Sequence, residues 1–314
     1  MEKIMNSDRA THLLFTLGAN PNLSKQLSSL LGIPLSPDKV THFADGETFA
    51  KPLVDVKGQE CYIIHSTYRP VSERLMDLLV FVDALHNAGA KKIVAIIPYF
   101  GYARQDRIID PGDPISGLLV AKMLKSAGVD MIVTVDFHSL RLLSEFPLPH
   151  TNLTFTPYFA QRILDELKES KIKTSDICIV SPDRGGLKRA EEFAKHFDGS
   201  TFAFAEKHRP QPNKACVEAI EGDVNGKLCV IIDDIIDTAG TLSEVVKALY
   251  KNGATDVYAA ATHGIFSGRA PQLIDECGLK KLFVSDTIEG TIALGESVSI
   301  APLLAEFIKE EISK

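Results

Sequence analysis

Leu228-Cys229-Val230-Ile231-Ile232-Asp233-Asp234-Ile235-Ile236-Asp237-Thr238-Ala239-Gly240-Thr241 is the stretch on which the reading of this chain turns. Its first half is an unbroken apolar run, the pattern of a strand buried on both faces of a parallel sheet. Two acids end the run, and a turn of small hydroxylated residues follows. Leu242 to Leu249 then places Val245, Val246 and Leu249 on one helical stripe, and Gly253 supplies the stop. Strand, acids, small-residue turn and helix make a phosphate-binding design. The turn brings backbone N–H groups and the Thr238 and Thr241 hydroxyls to a helix N-terminus, where the dipole favours an anion. Gly240 is expected to supply close approach or a positive φ. Asp233 and Asp234 then lie where a sugar's vicinal hydroxyls would sit with its phosphate in the turn. Adjacent carboxylates at the end of a buried strand cost desolvation unless something polar meets them, which disfavours an ordinary acidic connection.

The stretch resembles the ribose-phosphate loop of the type I phosphoribosyltransferase fold, and its length makes it far more specific than a lone glycine motif. The chain around it has 314 residues, 45% of them hydrophobic, enough for more than one core. A net charge of −7 argues against a nucleic-acid partner. It also requires that a polyanionic substrate be met by local cations or metal. Cys61, Cys178, Cys216, Cys229 and Cys277 show no zinc-finger or redox-motif spacing, and reduced buried thiols in a cytoplasmic protein are the simplest reading. Met1 to Ala10 is polar, without an apolar signal core, and no membrane-spanning stretch is expected.

Outward from the opening stretch, strands alternate with helices, which indicates parallel sheets covered on both faces. In the first half the expected strands are Leu13–Leu17, Cys61–His65, Lys92–Ile97 and Met131–Val135. The expected helices are Asn22–Leu31, Ser72–Asn87 and Ile115–Ser126. The pattern restarts with helices at Pro157–Lys168 and Leu187–His196 and strands at Ile177–Val180, Phe202–Pro210, Leu228–Ile232, Val257–Ala261 and Leu282–Val284. The halves read as two α/β domains, 1–156 and 157–300. A last helix, apolar at Leu303, Leu304, Phe307 and Ile308, sits within 301–314 and is assigned to the first domain.

Five more stretches carry chemistry. Phe43-Ala44-Asp45-Gly46-Glu47-Thr48 has the composition of a tight turn, either a solvated hairpin or one accepting hydrogen bonds from a nucleotide amine or hydroxyl. Pro98 to Arg107 begins where a strand ends, the place where open α/β sheets bind ligands. There Arg104 offers a planar fork for phosphate oxygens and Arg107 a second cation. Asp136-Phe137-His138-Ser139 and Ser181-Pro182-Asp183-Arg184-Gly185-Gly186 end analogous strands of the two halves. One His and one Asp suit a Mg²⁺ that keeps waters and takes phosphate oxygens; a zinc site would need more nitrogen or sulfur ligands. Finally, Lys207 and Arg209 alternate with His208 at a strand end and project to one side, as a solvated basic patch or as cations for a transferring phosphoryl group.

In this order and spacing these stretches look like those of the ribose-phosphate pyrophosphokinase family, and the resemblance runs from about Leu13 to Ile312. It implies two type I phosphoribosyltransferase-like domains. The implied activity is transfer of the β,γ-diphosphoryl group of ATP to the C1 hydroxyl of ribose 5-phosphate, with Mg²⁺. The implied assembly is a homo-oligomer, dimer or hexamer. Asp233, Asp234, Asp237, Thr238, Ala239, Gly240 and Thr241 match the ribose 5-phosphate site. Asp45 and Glu47 match the adenine-recognising loop, which in the family an adjacent subunit lends. Arg104, Gln105 and Asp106 match the ATP loop, His138 and Asp183 match residues holding the metal–ATP complex, and Lys207 and Arg209 match the catalytic arm. Two departures stand out. His208 takes the middle place of an arm that usually reads Lys-Arg-Arg. Ile108 to Asp113 is acidic and apolar where the ADP-inhibited class carries Arg, Lys and Ser, which weakens carry-over of its allosteric site. A non-catalytic regulatory subunit and a phosphoribosyltransferase are the rival readings.

Overall fold

The structure, a computed structural model, describes residues 12–211, 214–290 and 295–314, and for 207–211 and 214–216 the backbone alone. Up to Leu153 the elements are β1 (His12–Phe15), α1 (Pro21–Leu31), β2 (Asp38–His42), β3 (Thr48–Pro52), β4 (Glu60–Ile64), α2 (Val71–Asn87), β5 (Lys92–Ile96), α3 (Ser116–Ala127), β6 (Met131–Val135), α4 (Leu140–Ser144) and β7 (His150–Leu153). Next come α5 (Thr156–Glu169), β8 (Ile177–Ser181), α6 (Leu187–Ala194), β9 (Thr201–Gln211), β10 (Lys214–Glu221), β11 (Leu228–Ile236) and α7 (Gly240–Lys251). The chain closes with β12 (Asp256–Gly264), α8 (Ala270–Glu276), β13 (Lys281–Ser285), β14 (Gly295–Val298) and α9 (Ala301–Ile312).

Two compact units result. The first comprises the described residues up to Leu153 with Thr287–Glu289 and Ser299–Lys314, and the second comprises Thr154–Asp286 with Gly290–Val298. In the first unit β1, β4, β5, β6 and β7 form a parallel sheet in that order, and β2 and β3 pair as a separate antiparallel hairpin. Cys61, Ile63, Ile93, Ala95 and Ile132 on the strands pack with Leu78, Phe81, Val82 and Leu124 on the helices. α9 buries Leu304, Phe307 and Ile308 and packs on α1. Its return to this unit is tied by Lys92 Nζ to Glu311 at 3.1 Å and by the Ser299 hydroxyl to Gln26 at 2.8 Å. The Thr287 carbonyl is anchored in the same unit, accepting from the Asn20 amide at 3.1 Å and the Ser66 hydroxyl at 2.6 Å.

The second unit's sheet runs β10-β9-β8-β11-β12-β13-β14, parallel except for the β9–β10 pair. Its order holds the decisive feature. From β8 the chain passes through α6 to β9 on one side, whereas from β11 it passes through α7 to β12 on the other. The neighbouring strands β8 and β11 therefore open a topological switch point at their C-terminal ends, where α/β sheets bind ligands.

β11 is longer than the apolar run suggested. Its pairing with β12 continues through Asp233↔Ala261, Ile235↔His263 and Ile236↔Gly264, whereas its pairing with β8 stops at Ile231↔Val180. Asp233 and Asp234 thus belong to the strand's overhang instead of following it. The long partner β12 carries the hydrogen-bond ladder past the point where hydropathy changes. β7, β10 and β14 lack long apolar runs and emerge only in the fold.

Candidate active site

In the second unit the switch point gathers acids, Arg189 and a helix N-terminus. Asp233 is partly exposed and Asp234 is buried, at 5% exposure. Arg189, reaching from α6, donates through Nη1 to Asp234 Oδ1 at 3.0 Å and to Asp233 Oδ1 at 3.4 Å. The Asp234 backbone N–H also donates to Asp233 Oδ1, at 2.8 Å. Burial, reinforced by the neighbouring Asp234 charge, pushes the Asp233 carboxyl well above the ordinary range, and Arg189 opposes that shift. Sequence reasoning missed Arg189. Its signal was present: Arg189 lies on the helix that follows the Asp183 turn, and paired carboxylates require a counter-charge.

The loop from Asp237 to Thr241 leads into α7. Ala239 supplies its left-handed residue, with φ 58°, and occupies the N-cap. Of the two roles expected of Gly240, a positive φ is excluded, because Gly240 is not among the positive-φ residues, and room for close approach remains. A Cβ placed on Gly240 would meet only the Thr238 hydroxyl, at 3.9 Å. Gly240 leaves room at the helix start instead of bending the chain. A non-glycine residue in the left-handed region costs about 1–2 kcal/mol, so this loop is held against strain. Such a bend turns successive backbone N–H groups toward one point, a cradle for an anion.

At the end of β8, Asp183 Oδ1 accepts the Gly186 backbone N–H at 3.1 Å, and the Asp183 carbonyl accepts from the Ser181 hydroxyl at 2.6 Å. The carboxylate is fixed by its own turn. Lys207 and Arg209 fall on β9, but their side chains lie outside the described residues.

In the first unit the loops after β5 and β6 are bolted together. Asp106 accepts from the Ser139 hydroxyl at 2.7 Å and pairs with Arg107 Nε at 3.2 Å. Burial raises the Asp106 pKa, but the Ser139 hydroxyl and the charges of Arg107, His138 and Arg141 outweigh it and hold the carboxyl below its usual range. Gln105 accepts from the Ser116 hydroxyl. Arg104 and His138 are exposed. Arg141, a further cation not singled out in the sequence, donates to the Asp106 carbonyl. Gly101 has a steric reason. Its N–H donates to the Thr67 hydroxyl at 2.7 Å, and a Cβ there would collide with the Thr67 carbonyl and lie 2.9 Å from Val71 Cγ1.

Asp45 and Glu47 sit at the exposed tip of the β2–β3 hairpin. The Glu47 N–H donates to Asp45 Oδ1 at 3.1 Å, and Gly46 has φ 91°. Phe43 and Phe49 flank the tip, 53% and 42% exposed, with ring centroids 6.5 Å apart. At the hairpin base His42, Glu73 and Asp77 bring metal-type donor atoms within 4.8 Å of one another, the one such group among the described residues. His138 and Asp183 are not part of it.

Known proteins similar to this chain belong to one enzyme family. Residues 12–128 match the N-terminal domain of ribose phosphate pyrophosphokinase, and residues 202–312 match the phosphoribosyl synthetase-associated domain. The ribose-phosphate pyrophosphokinase of Bacillus subtilis is 42% identical over 299 residues, 94% of this chain and 92% of that protein. That of Clostridium tetani is 39% identical over 321 residues, 99% and 98% of the two chains. The crystal structure of phosphoribosylpyrophosphate synthetase from Mycobacterium smegmatis superposes with a TM-score of 0.89 at 35% identity, over 96% of this chain and 99% of that one.

Proposed function

Because the chain belongs to the ribose-phosphate pyrophosphokinase family, we infer that each of its units, both of phosphoribosyltransferase type, binds one of two substrates. The reaction transfers the diphosphoryl group of ATP to ribose 5-phosphate and yields 5-phosphoribosyl 1-pyrophosphate and AMP. The observation that carries the assignment is the acidic overhang of β11 beside the α7 N-terminus, at the β8–β11 switch point.

Ribose 5-phosphate is assigned to the second unit. Its phosphate rests against the Asp237–Thr241 loop, with the Thr238 and Thr241 hydroxyls and the helix dipole as supports. Asp233 and Asp234, held by Arg189, accept from the sugar hydroxyls. The bent loop costs no rearrangement when the phosphate arrives, because the fold has already set it.

ATP is assigned to the first unit. Arg104 contacts phosphate oxygens, with Arg107 and Arg141 adding positive potential. Gln105 and Asp106 hold the loop in shape. Asp45 and Glu47 accept from the adenine amine, and Phe43 offers a ring face. The exposure of that hairpin tip supports its use by the nucleotide of a neighbouring copy, hence a homo-oligomer.

His138 and Asp183 would hold Mg²⁺. The donor set fits: one imidazole and one carboxylate already oriented by its turn suit an ion that keeps waters and takes the remaining ligands from phosphates. When bound, the ion neutralises charge on the polyphosphate. The chain's own part is positioning and charge stabilisation. A bond forms between the C1 oxygen and the β-phosphorus. The bond from that phosphorus to the α,β-bridging oxygen breaks, AMP leaves with that oxygen, and the C1 hydroxyl gives up its proton to solvent. Lys207 and Arg209 on β9 are assigned to the charge that builds on the transferring group. The free thiols of Cys61, Cys178, Cys229 and Cys277 fit a reducing compartment such as the cytoplasm. Among the described residues no helix is long and apolar enough to cross a membrane.

The test is release of AMP by the purified chain given ATP, ribose 5-phosphate and Mg²⁺, with phosphate and ADP varied. AMP in step with phosphoribosyl pyrophosphate is expected. Its absence would refute the assignment.

A further inference from the structure

Asp77 is a charged residue in the wrong company. It lies on α2 among Leu75, Leu78, Leu79, Phe81 and Val82, and it is 1% exposed. A carboxylate so buried is tolerated only when donors meet it. Its donors are specific. His42 Nε2 donates to Asp77 Oδ1 at 2.7 Å, and the Thr48 hydroxyl donates to the same oxygen at 3.2 Å. His42 is the last residue of β2 and Thr48 the first of β3, and they are cross-strand partners at the base of the hairpin. One buried oxygen therefore grips both strands where the Phe43–Glu47 turn begins.

The hairpin needs such a grip. It has two strands, and they pair with each other, not with the five-stranded sheet. An isolated two-stranded hairpin is at best marginally stable in water. Val40 and Ala50 anchor it to the core away from the tip. Near the tip, the charged hydrogen bonds to Asp77 are the fixed point. α2 is itself referenced to the sheet: the buried His65, just past β4, donates from Nε2 to the Arg74 carbonyl at 2.9 Å. The connection runs from β4 through α2 and Asp77 to the turn.

We propose that Asp77 is a positioning residue for nucleotide binding, setting the direction in which the hairpin presents Asp45 and Glu47. The proposal rests on the reading that this turn recognises the adenine of ATP. Asp77 itself touches no substrate. A clip of this kind leaves the chemical step alone and acts on the nucleotide's binding energy.

The experiment compares Asp77→Ala, Asp77→Asn, His42→Gln and Asp45→Ala in steady-state kinetics, with thermal melting of each. Asp77→Ala is expected to raise the KM for ATP about tenfold, equivalent to about 1.4 kcal/mol, with kcat and the KM for ribose 5-phosphate within about twofold. Asp77→Asn keeps the accepting oxygen and is expected to restore most of the loss. His42→Gln is expected to fall between them. A merely structural Asp77 would lower the melting temperature and the active fraction, hence kcat, without a selective rise in the KM for ATP; that outcome overturns the proposal. Should Asp77→Ala not fold, His42→Gln carries the same decision. If Asp45→Ala leaves the KM for ATP unchanged, the reading of the turn fails, and the proposal with it. If Asp45→Ala raises that KM but neither Asp77→Ala nor His42→Gln does, only the proposal fails.

Discussion

Replacing Asp234 by Ala removes the buried member of the carboxylate pair. Arg189 loses its 3.0 Å partner but keeps Asp233 at 3.4 Å, so no buried charge is left alone. The stability cost is therefore expected near 1 kcal/mol, well short of the ~3–5 kcal/mol for orphaning a buried ion. Function should suffer more. A hydrogen bond to a charged group contributes about 1.5–3 kcal/mol, so loss of one sugar contact raises the KM for ribose 5-phosphate about 10- to 150-fold. The KM for ATP should move less than twofold, because Asp234 lies in the other unit from the ATP loops. There is a second signature. The Asp234 charge helps to push the Asp233 carboxyl upward. Its removal lets Asp233 ionise at lower pH, and the acid limb of ribose 5-phosphate binding should shift downward. The assay is steady-state kinetics in each substrate from mildly acidic to neutral pH. Equal rises in both KM values, or no rise for the sugar, would refute the sugar site.

Three further outcomes are expected. Lys207→Ala should lower kcat by ~100–1000-fold, the usual effect of losing one transition-state donor, with ribose 5-phosphate affinity by calorimetry nearly unchanged; a surviving kcat would exclude Lys207 from catalysis. Burial lowers the His65 pKa from 6.5 to about 4, so the folded chain excludes a proton that the unfolded chain binds in that interval. This contribution is complete above pH 6.5 and fades as pH falls toward 4, by about 3 kcal/mol; urea midpoints that fall no more steeply for the protein than for His65→Leu would contradict it. Gly101→Ala forces the ATP loop off the Thr67 carbonyl and should cost about 1–3 kcal/mol, read as a lower melting temperature and a higher KM for ATP.

How much of this was visible in the residues varies by element. The parallel strands and amphipathic helices announced themselves, because a strand covered on both faces must be continuously apolar, as Cys61–Ile64 and Val94–Ile96 are. Half-buried pieces did not. Thr48–Pro52 and His150–Leu153 lack a run of their own and are strands by virtue of their partners. β11 overran its apolar stretch because pairing with β12, not hydropathy, sets its end. At the site, residues at strand ends were legible by type and position. The contacts that orient them were not: Arg189 on Asp233 and Asp234, Arg141 on the Asp106 carbonyl, and Asp77 on His42 and Thr48 span 29 to 45 positions of sequence. The positive φ offered as one of two roles for Gly240 falls on Ala239, and composition could not have told them apart. Alanine's small Cβ makes it a tolerable second choice once the loop is held on both sides.

The docking of α9 on α1 has a bearing on synthesis. A nascent chain exposes the first unit's strands early, yet α9, which packs on α1, is made only after the second unit. The intervening second unit takes on the order of ten seconds to translate. During that interval the first unit lacks α9, a window for chaperones, while the chain of the second unit is completed.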